Sequence, residues 1–207
     1  MTCTNCYALL SDLKMPNRLN ISDSNSDDML EGILEDASRD IDGVCHRWFY
    51  TDADSDDPQA FYYTAQSTRD LFVDDIRTAT DLTIEIDYNN DGVYETLLTT
   101  VDYILEPSNA LAKGQPFRKI TLRANNGFPK DVPNGVKVTA HWGWASVPTS
   151  IQQATLLWAE RLFKRFATPI GSEAMTALGQ MRLQIPSDDP DVVPKIGRFI
   201  KIQNGFG

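Results

Sequence analysis

The segment "DYNNDGVYE", residues 87–95, places Asp87, Asn89 and Asp91 at alternate positions ahead of Gly92. Oxygen ligands so spaced before a glycine are how a calcium-binding EF-hand loop begins. Such a loop needs a bidentate acid at its twelfth position, and counted from Asp87 that position is Leu98. It also needs flanking helices, whereas "DLTIEID" leads in and "YETLLTT" leads out with the composition of strands. Asn, Asp and Gly tolerate positive φ, so the segment is expected to be the tight turn of a β-hairpin.

Thiols and imidazoles are sparse. Cys3 and Cys6 form a CxxC, and Cys45 is followed by His46. Zinc takes four ligands, commonly in two closely spaced pairs, and adjacent side chains on a helix diverge. Three cysteines make no disulfide framework, so free thiols are expected. His46 and His141 are the two histidines, and neither stands in a nucleophile-elbow or metal-ligand pattern. Both are assigned structural roles. No Walker loop, GxGxxG or HExxH is present. The pairs Asp27/Asp28, Asp56/Asp57, Asp74/Asp75 and Asp188/Asp189 are adjacent in loop-like sequence. They are expected to be solvated turns and caps, not acid and base facing across a cleft. The expectation is a protein with no catalytic residues, no cofactor or cofactor-binding residues and no metal ligands: not an enzyme.

The elements that would carry these residues belong to a chain of 207 residues, 42% hydrophobic and 23% charged, ordinary values for a globular protein. No apolar run reaches the roughly 18 residues of a membrane span, so no membrane partner is expected. The start, "MTCTNCYALL", lacks the basic and apolar regions of a secretion signal, which predicts a chain that stays on the cytosolic side. Charge is uneven. Residues 1–110 hold 23 Asp/Glu against 6 Lys/Arg, and residues 111–207 hold 6 against 13. An acidic end and a basic end suit stacking on a partner or on another copy.

Helical spacing of Leu30, Ile33, Leu34, Ala37, Ile41, Val44, Cys45 and Trp48 predicts a helix over 26–49, capped by Asn25 or Ser26. Glu31, Glu35, Asp36 and Asp42 would face away from its core side. A shorter helix is expected over about 6–14 and a long one after Thr149 or Ser150, lined by Ile151, Ala154, Leu157 or Trp158, Leu162 and Phe166. Between them, seven short β-prone runs within 60–144 predict an antiparallel sheet curling into a barrel or sandwich. "MRLQIP" is a candidate strand. A final helix over about 189–200 would have Pro190 in its first turn and be bent or shortened by Pro194. The fold class expected is α+β: a small helical core from 1–50 and 147–207, with an antiparallel β domain, 51–146, inserted in it.

The order of pieces resembles a known family. "ASRDIDGVCHRWFY" ends the first long helix, and "VDYILEPSNALAKGQPFRKITL" follows among the strands. Then come "VKVTAHWGWASVPTSIQQATLLWAERLFKRFATPIG" and "DDPDVVPKIGRFIKI". This series is similar to the head–tail connector proteins of tailed bacteriophages, also called head-completion proteins or adaptors. The resemblance implies a structural virion protein of the neck, present in the host cytoplasm during assembly. It implies a dodecameric ring beneath the portal protein that extends the DNA channel and docks the adjacent neck or tail-completion protein. Double-stranded DNA would pass through without sequence-specific binding. A C-terminal arm over Pro186–Gly207 would reach the portal through Arg198, Phe199, Ile200, Lys201, Ile202 and Phe206; the same segment can instead fold as a helix onto its own core. Two alternatives remain open: a tail-completion or stopper protein of the neck, and a non-catalytic ligand-binding β module, which would need Trp142 and Trp144 exposed around a groove.

Overall fold

A computed structural model describes residues 3, 5–50, 57–123, 127–167 and 186–201. It is an α+β protein whose chain divides at 49/50 and 146/147 into two compact units, one helical and one built of antiparallel sheets.

In the helical unit, α1 spans Leu10–Lys14 and α2 spans Asp27–Cys45. Leu30, Ile33, Leu34, Ala37, Ile41 and Cys45 form the buried stripe of α2, as its periodicity requires. The helix ends four residues before the expected boundary. His46 adopts a left-handed conformation (φ 52°, ψ 39°) and its N–H donates to the Asp42 carbonyl, a C-terminal cap. The change of direction makes Phe49, not Trp48, the fully buried aromatic. Asp42, expected to face solvent, instead accepts the Tyr7 hydroxyl. Ser26 occupies the N-cap position without a side-chain cap bond.

Upstream, α1 starts at Leu10 because residues 5–9 are not helical. Cys3 and Cys6 are joined as a disulfide with their Cα atoms 5.9 Å apart, and Asn5 between them has φ 64°. The free-thiol expectation is thereby corrected for this pair; two Cβ atoms brought together by a turn are within bonding reach. Cys45 is a free, buried thiol.

The long helix α3, Thr149–Ala167, packs against α2. Its first free N–H groups, those of Ile151 and Gln152, donate to the Pro148 carbonyl, so Thr149 is the first helical residue and not the cap. Ile151, Ala154 and Trp158 are buried as expected, while Leu157 and Leu162 are half-buried. The expected helix over 189–200 is two short pieces, α4 at Val193–Ile196 and a 3-10 turn at Gly197–Phe199, preceded by a 3-10 turn at Pro186–Asp188. Pro194 is the second residue of α4, in the first turn where its missing N–H is harmless. Pro186 sits in the first 3-10 turn, and the rest of the candidate strand, 181–185, lies outside the described residues.

The β unit contains β1 (Gln59–Tyr63), β2 (Asp70–Ile76), β3 (Thr83–Ile86), β4 (Thr96–Leu97), β5 (Tyr103–Glu106), β6 (Phe117–Leu122) and β7 (Val136–Ala140). One sheet has the order β1-β7-β3-β4 and the other β2-β6-β5, with every strand pair antiparallel. Alternation sets the inner faces. Ile84 and Ile86 meet Val138 and Val136 and are buried, while Thr83 is exposed and Glu85 pairs with Lys137 at 2.8 Å on the outer face. The arrangement is sandwich-like, and no closed barrel forms among the described residues. Between Phe72 and Ile76 the register of β2 with β6 shifts, the mark of a bulge. The Tyr63 hydroxyl fills that irregularity, accepting the Asp74 N–H at 3.2 Å and donating to the Asp74 carboxylate at 3.0 Å. Beyond it, the Arg77 N–H donates to His141 O at 2.8 Å and the Gly143 N–H to Asp75 O at 2.7 Å. The end of β2 thus reaches the segment after β7.

The expected hairpin forms between β3 and β4, but not through a tight turn. Its last pair is Ile86↔Thr96, leaving residues 87–95 as the connection. Asp87 organises this loop from inside: its buried carboxylate accepts the N–H groups of Asn90 at 2.7 Å and Gly92 at 2.8 Å. Gly92 has φ 83°, a conformation that glycine adopts without strain. The Asp87 and Asp91 oxygens that resemble calcium ligands are therefore engaged with backbone donors.

Candidate partner-binding site

The C-terminal residues 198–201, assigned by resemblance to a partner, are positioned by a chain of buried contacts. Asp189 is fully buried. One carboxylate oxygen accepts the N–H groups of Asp191 at 2.9 Å and Val192 at 3.2 Å, and the other pairs with Arg161 of α3. Arg161 also pairs with Asp191. A buried carboxylate needs such compensation, so this clasp fixes where the segment enters the unit. Val192 and Ile196 are buried behind it.

Phe199 closes the segment onto the core. Its ring meets Phe49 edge-on at 5.5 Å, and Phe49 meets Tyr7 in the same way at 5.7 Å, a geometry favoured by ring quadrupoles. The Lys201 N–H donates to Cys45 O at 2.9 Å, satisfying a carbonyl that the last turn of α2 leaves open. Between these anchors, Arg198 is exposed: its guanidinium lies 4.7 Å from the Phe199 ring and donates to Ser150 Oγ at 2.9 Å. Ile200 is 41% exposed. The segment through Lys201 is thus folded on its own unit, with Arg198 and Ile200 presented outward and Phe199 turned in. Ile202 and Phe206 lie outside the described residues.

Beneath this surface is a polar joint. The Tyr7 hydroxyl donates to Asp42 and accepts the Phe49 N–H at 2.8 Å, and the Tyr7 N–H donates to Ser38 Oγ at 3.1 Å. Burial pushes the Asp42 carboxyl up to about 6, against the opposing pull of the Tyr7 bond and of Arg39, whose guanidinium is 3.1 Å away. Burial, with Asp42 beside it, also raises the Tyr7 hydroxyl. The Cys45 thiol is pushed up to about 12 by burial, which makes it a poor nucleophile. His46 is exposed next to it, so the adjacent pair does not converge on one site.

The β unit places its remaining candidates in structural roles. Trp142 is 5% exposed, stacks on Phe61 at 4.3 Å and donates its indole N–H to Gln59 O at 2.8 Å. Trp144 is 4% exposed and donates to the Asp75 carboxylate at 3.0 Å. Buried rings remove the groove on which the ligand-binding alternative depended. His141 is buried and hydrogen-bonded to Asp81 at 3.2 Å. Two of the acid pairs differ from the solvated expectation: Asp75 and Asp189 are each the buried member of their pair. Only the apolar neighbours of each hinted at burial. In the "DY.L.P" element, Asp102 accepts the Thr99 N–H at 2.7 Å, Tyr103 is buried, and Glu106–Pro107 is a cis peptide. These motifs are core and turn chemistry.

No protein-family model matches the chain, and no curated protein matches it significantly. A chain in the neck of an empty gene transfer agent particle, computed with C6 symmetry, matches it in structure. That match covers 100% of this chain and 96% of the other, with a TM-score of 0.56 and 15% identity. The fold is that of a particle-neck chain. A chain from the neck of the native particle, computed with C12 symmetry, matches over 86% of this chain and 85% of its own length, with a TM-score of 0.50 and 16% identity. This likeness of fold is consistent with the head–tail connector resemblance carried by the ordered sequence motifs.

Proposed function

We propose that the protein is a structural component of the neck of a tailed, phage-like particle, acting as a head–tail adaptor without enzymatic activity. The observation that carries this reading is the likeness to a neck chain over all of this chain and 96% of that one. A shared fold does not by itself give function, which must then be argued from surfaces. The C12 symmetry of one matching neck supports a ring of twelve copies. In such a ring each subunit offers two different faces to its neighbours, and closure leaves a central channel.

In this reading the ring sits under the portal protein, extends the channel through which double-stranded DNA passes, and docks the next neck or tail-completion component. Net charge is −10, and like charge keeps a channel from holding duplex DNA non-specifically. The exposed Arg198 and Ile200, with Lys201 and the chain beyond it, are assigned to the portal contact. Phe199 acts there by holding the segment against Phe49.

The test is electron microscopy of particles produced when the gene carries an early stop codon. Heads that fail to keep DNA or to join tails, beside finished free tails, support the adaptor role. Stable, DNA-filled heads capped at the neck but lacking tails would instead favour a tail-completion role. Complete tailed particles would remove the neck assignment.

A further inference from the structure

Neither the neck fold nor the C-terminal contact uses the CxxC at the start of the chain. Cys3 and Cys6 are bonded to each other and both are half-buried, whereas Cys45 is fully buried. A small thiol or disulfide reaches such a pair more readily than the third cysteine. The sequence suits free thiols in a reducing cytosol, while the fold brings this pair together as a disulfide. Both hold if the bond is reversible. The ring it closes spans two intervening residues. So short a loop constrains the unfolded chain little, and the effect of the bond falls on the segment beside it.

That segment bears on α2. Asn5, held at φ 64° between the two cysteines, offers its carbonyl to Arg39 Nη2 at 3.0 Å. Arg39 in turn pairs with Asp42 at 3.1 Å and lies 5.4 Å from the Tyr7 ring centroid. Tyr7 follows Cys6 directly and is buried. Its N–H donates to Ser38 Oγ at 3.1 Å and its hydroxyl accepts the Phe49 N–H at 2.8 Å. No helix holds residues 5–9, so a cross-link ending at Cys6 restrains the chain immediately ahead of this tyrosine.

We propose that Cys3 and Cys6 form a reversible thiol–disulfide latch that locks Tyr7 into the joint beneath Phe49 when oxidised and loosens it when reduced. The oxidant is a low-molecular-weight disulfide of the glutathione class. One cysteine thiolate attacks that disulfide and expels a thiolate; the other then attacks the mixed disulfide and expels the second. Two protons leave the chain with the two released thiols, and two electrons pass to the oxidant. A small dithiol reverses the exchange. Its timing rests on the neck reading: in a chain assembled inside a cell and released in a particle, the joint is loose during assembly and locked afterwards.

The test needs only the purified full chain, so its failure and that of the neck reading are separate events. The native chain is equilibrated with glutathione disulfide or with dithiothreitol, and free thiols are trapped with a maleimide. None should be trapped in the first buffer and two in the second, with Cys45 reacting only after denaturation. Amide exchange at Tyr7 should be about tenfold faster in the reduced chain, the order of effect that closing so short a loop supplies. The Phe49 amide should quicken with it, while β1 and β7 keep their protection. Cys3→Ser with Cys6→Ser should show the reduced rates in both buffers. A pair that remains thiol in glutathione disulfide, or stays bonded in dithiothreitol, overturns the latch. So does equal exchange at Tyr7 or at Phe49 in the two states, because the bond would then hold nothing beyond itself.

Discussion

In the helical unit, segments far apart in sequence are joined mainly by part-buried polar contacts, whereas in the β unit strands are joined mainly by register and apolar packing. The buried Trp144–Asp75 hydrogen bond is a polar exception there. The Trp158 indole N–H reaches Asp40 across 118 positions of sequence at 2.7 Å, and Arg18 pairs with Glu160 across 142. Arg161 joins α3 to the C-terminal segment through Asp189. In the β unit the largest contacts are instead apolar: Trp142 on Phe61, and the buried rows from Ile84, Ile86, Val136 and Val138. Apolar rows tolerate some repacking. A buried charge that loses its partner does not. The helical unit is therefore the part in which single polar substitutions should be felt, and the β unit the part in which loss of volume should be.

The sharpest break of this comparison is Trp142→Ala. It removes a buried ring from its stack and leaves the Gln59 carbonyl without its donor. The expected cost is about 4 kcal/mol. Hydrogen exchange should quicken in β1 and β7 while the amides of α2 and α3 keep their protection. Equal loss in both units would show that they do not respond separately.

The converse substitution is Asp189→Ala, with an expected cost of about 3 kcal/mol for a buried ion pair broken from one side. It removes the acceptor for the Asp191 and Val192 N–H groups as well as the partner of Arg161. Exchange should quicken over residues 189–201, with the strands unchanged. Asp189→Asn keeps an acceptor for the two N–H groups and should cost less. If the alanine variant leaves residues 189–201 fully protected, the clasp is not what holds the segment.

The same contrast explains what was legible in the sequence. All seven strands lay where alternation and turn residues placed them, because a pleated strand with one buried face writes its period directly into the chain. The buried stripe of α2 was legible for the same reason up to Cys45. What followed was not: the left-handed His46 is a single backbone choice, and it exchanged Trp48 for Phe49 in the core. Polar burial was the larger blind spot. Asp42, Asp75, Asp87 and Asp189 all looked like surface acids, since their partners (Tyr7, Trp144, the 87–95 backbone and Arg161) are set by tertiary contact or loop closure.

The finest test of the polar joint is its pH dependence. Asp42 titrates at about 6 in the folded chain against an ordinary value of 3.8, with burial as the main cause. A raised carboxyl means that the folded state binds more protons than the unfolded one between these values. Its stabilising contribution is therefore complete below 3.8 and lost as pH rises through about 6. The difference in urea midpoint between the wild type and Asp42→Asn isolates this group from the other carboxylates, and it should fall from pH 4 to pH 7 and then level off. Tyr7→Phe removes a bond that favours ionised Asp42 and leaves the Phe49 N–H without its acceptor. It should cost about 1 to 2 kcal/mol and move the step to higher pH. A step that stays in place without the Tyr7 hydroxyl would mean that burial alone sets the titration, and that the joint beneath Phe49 and Phe199 is held by packing in the manner of the β unit.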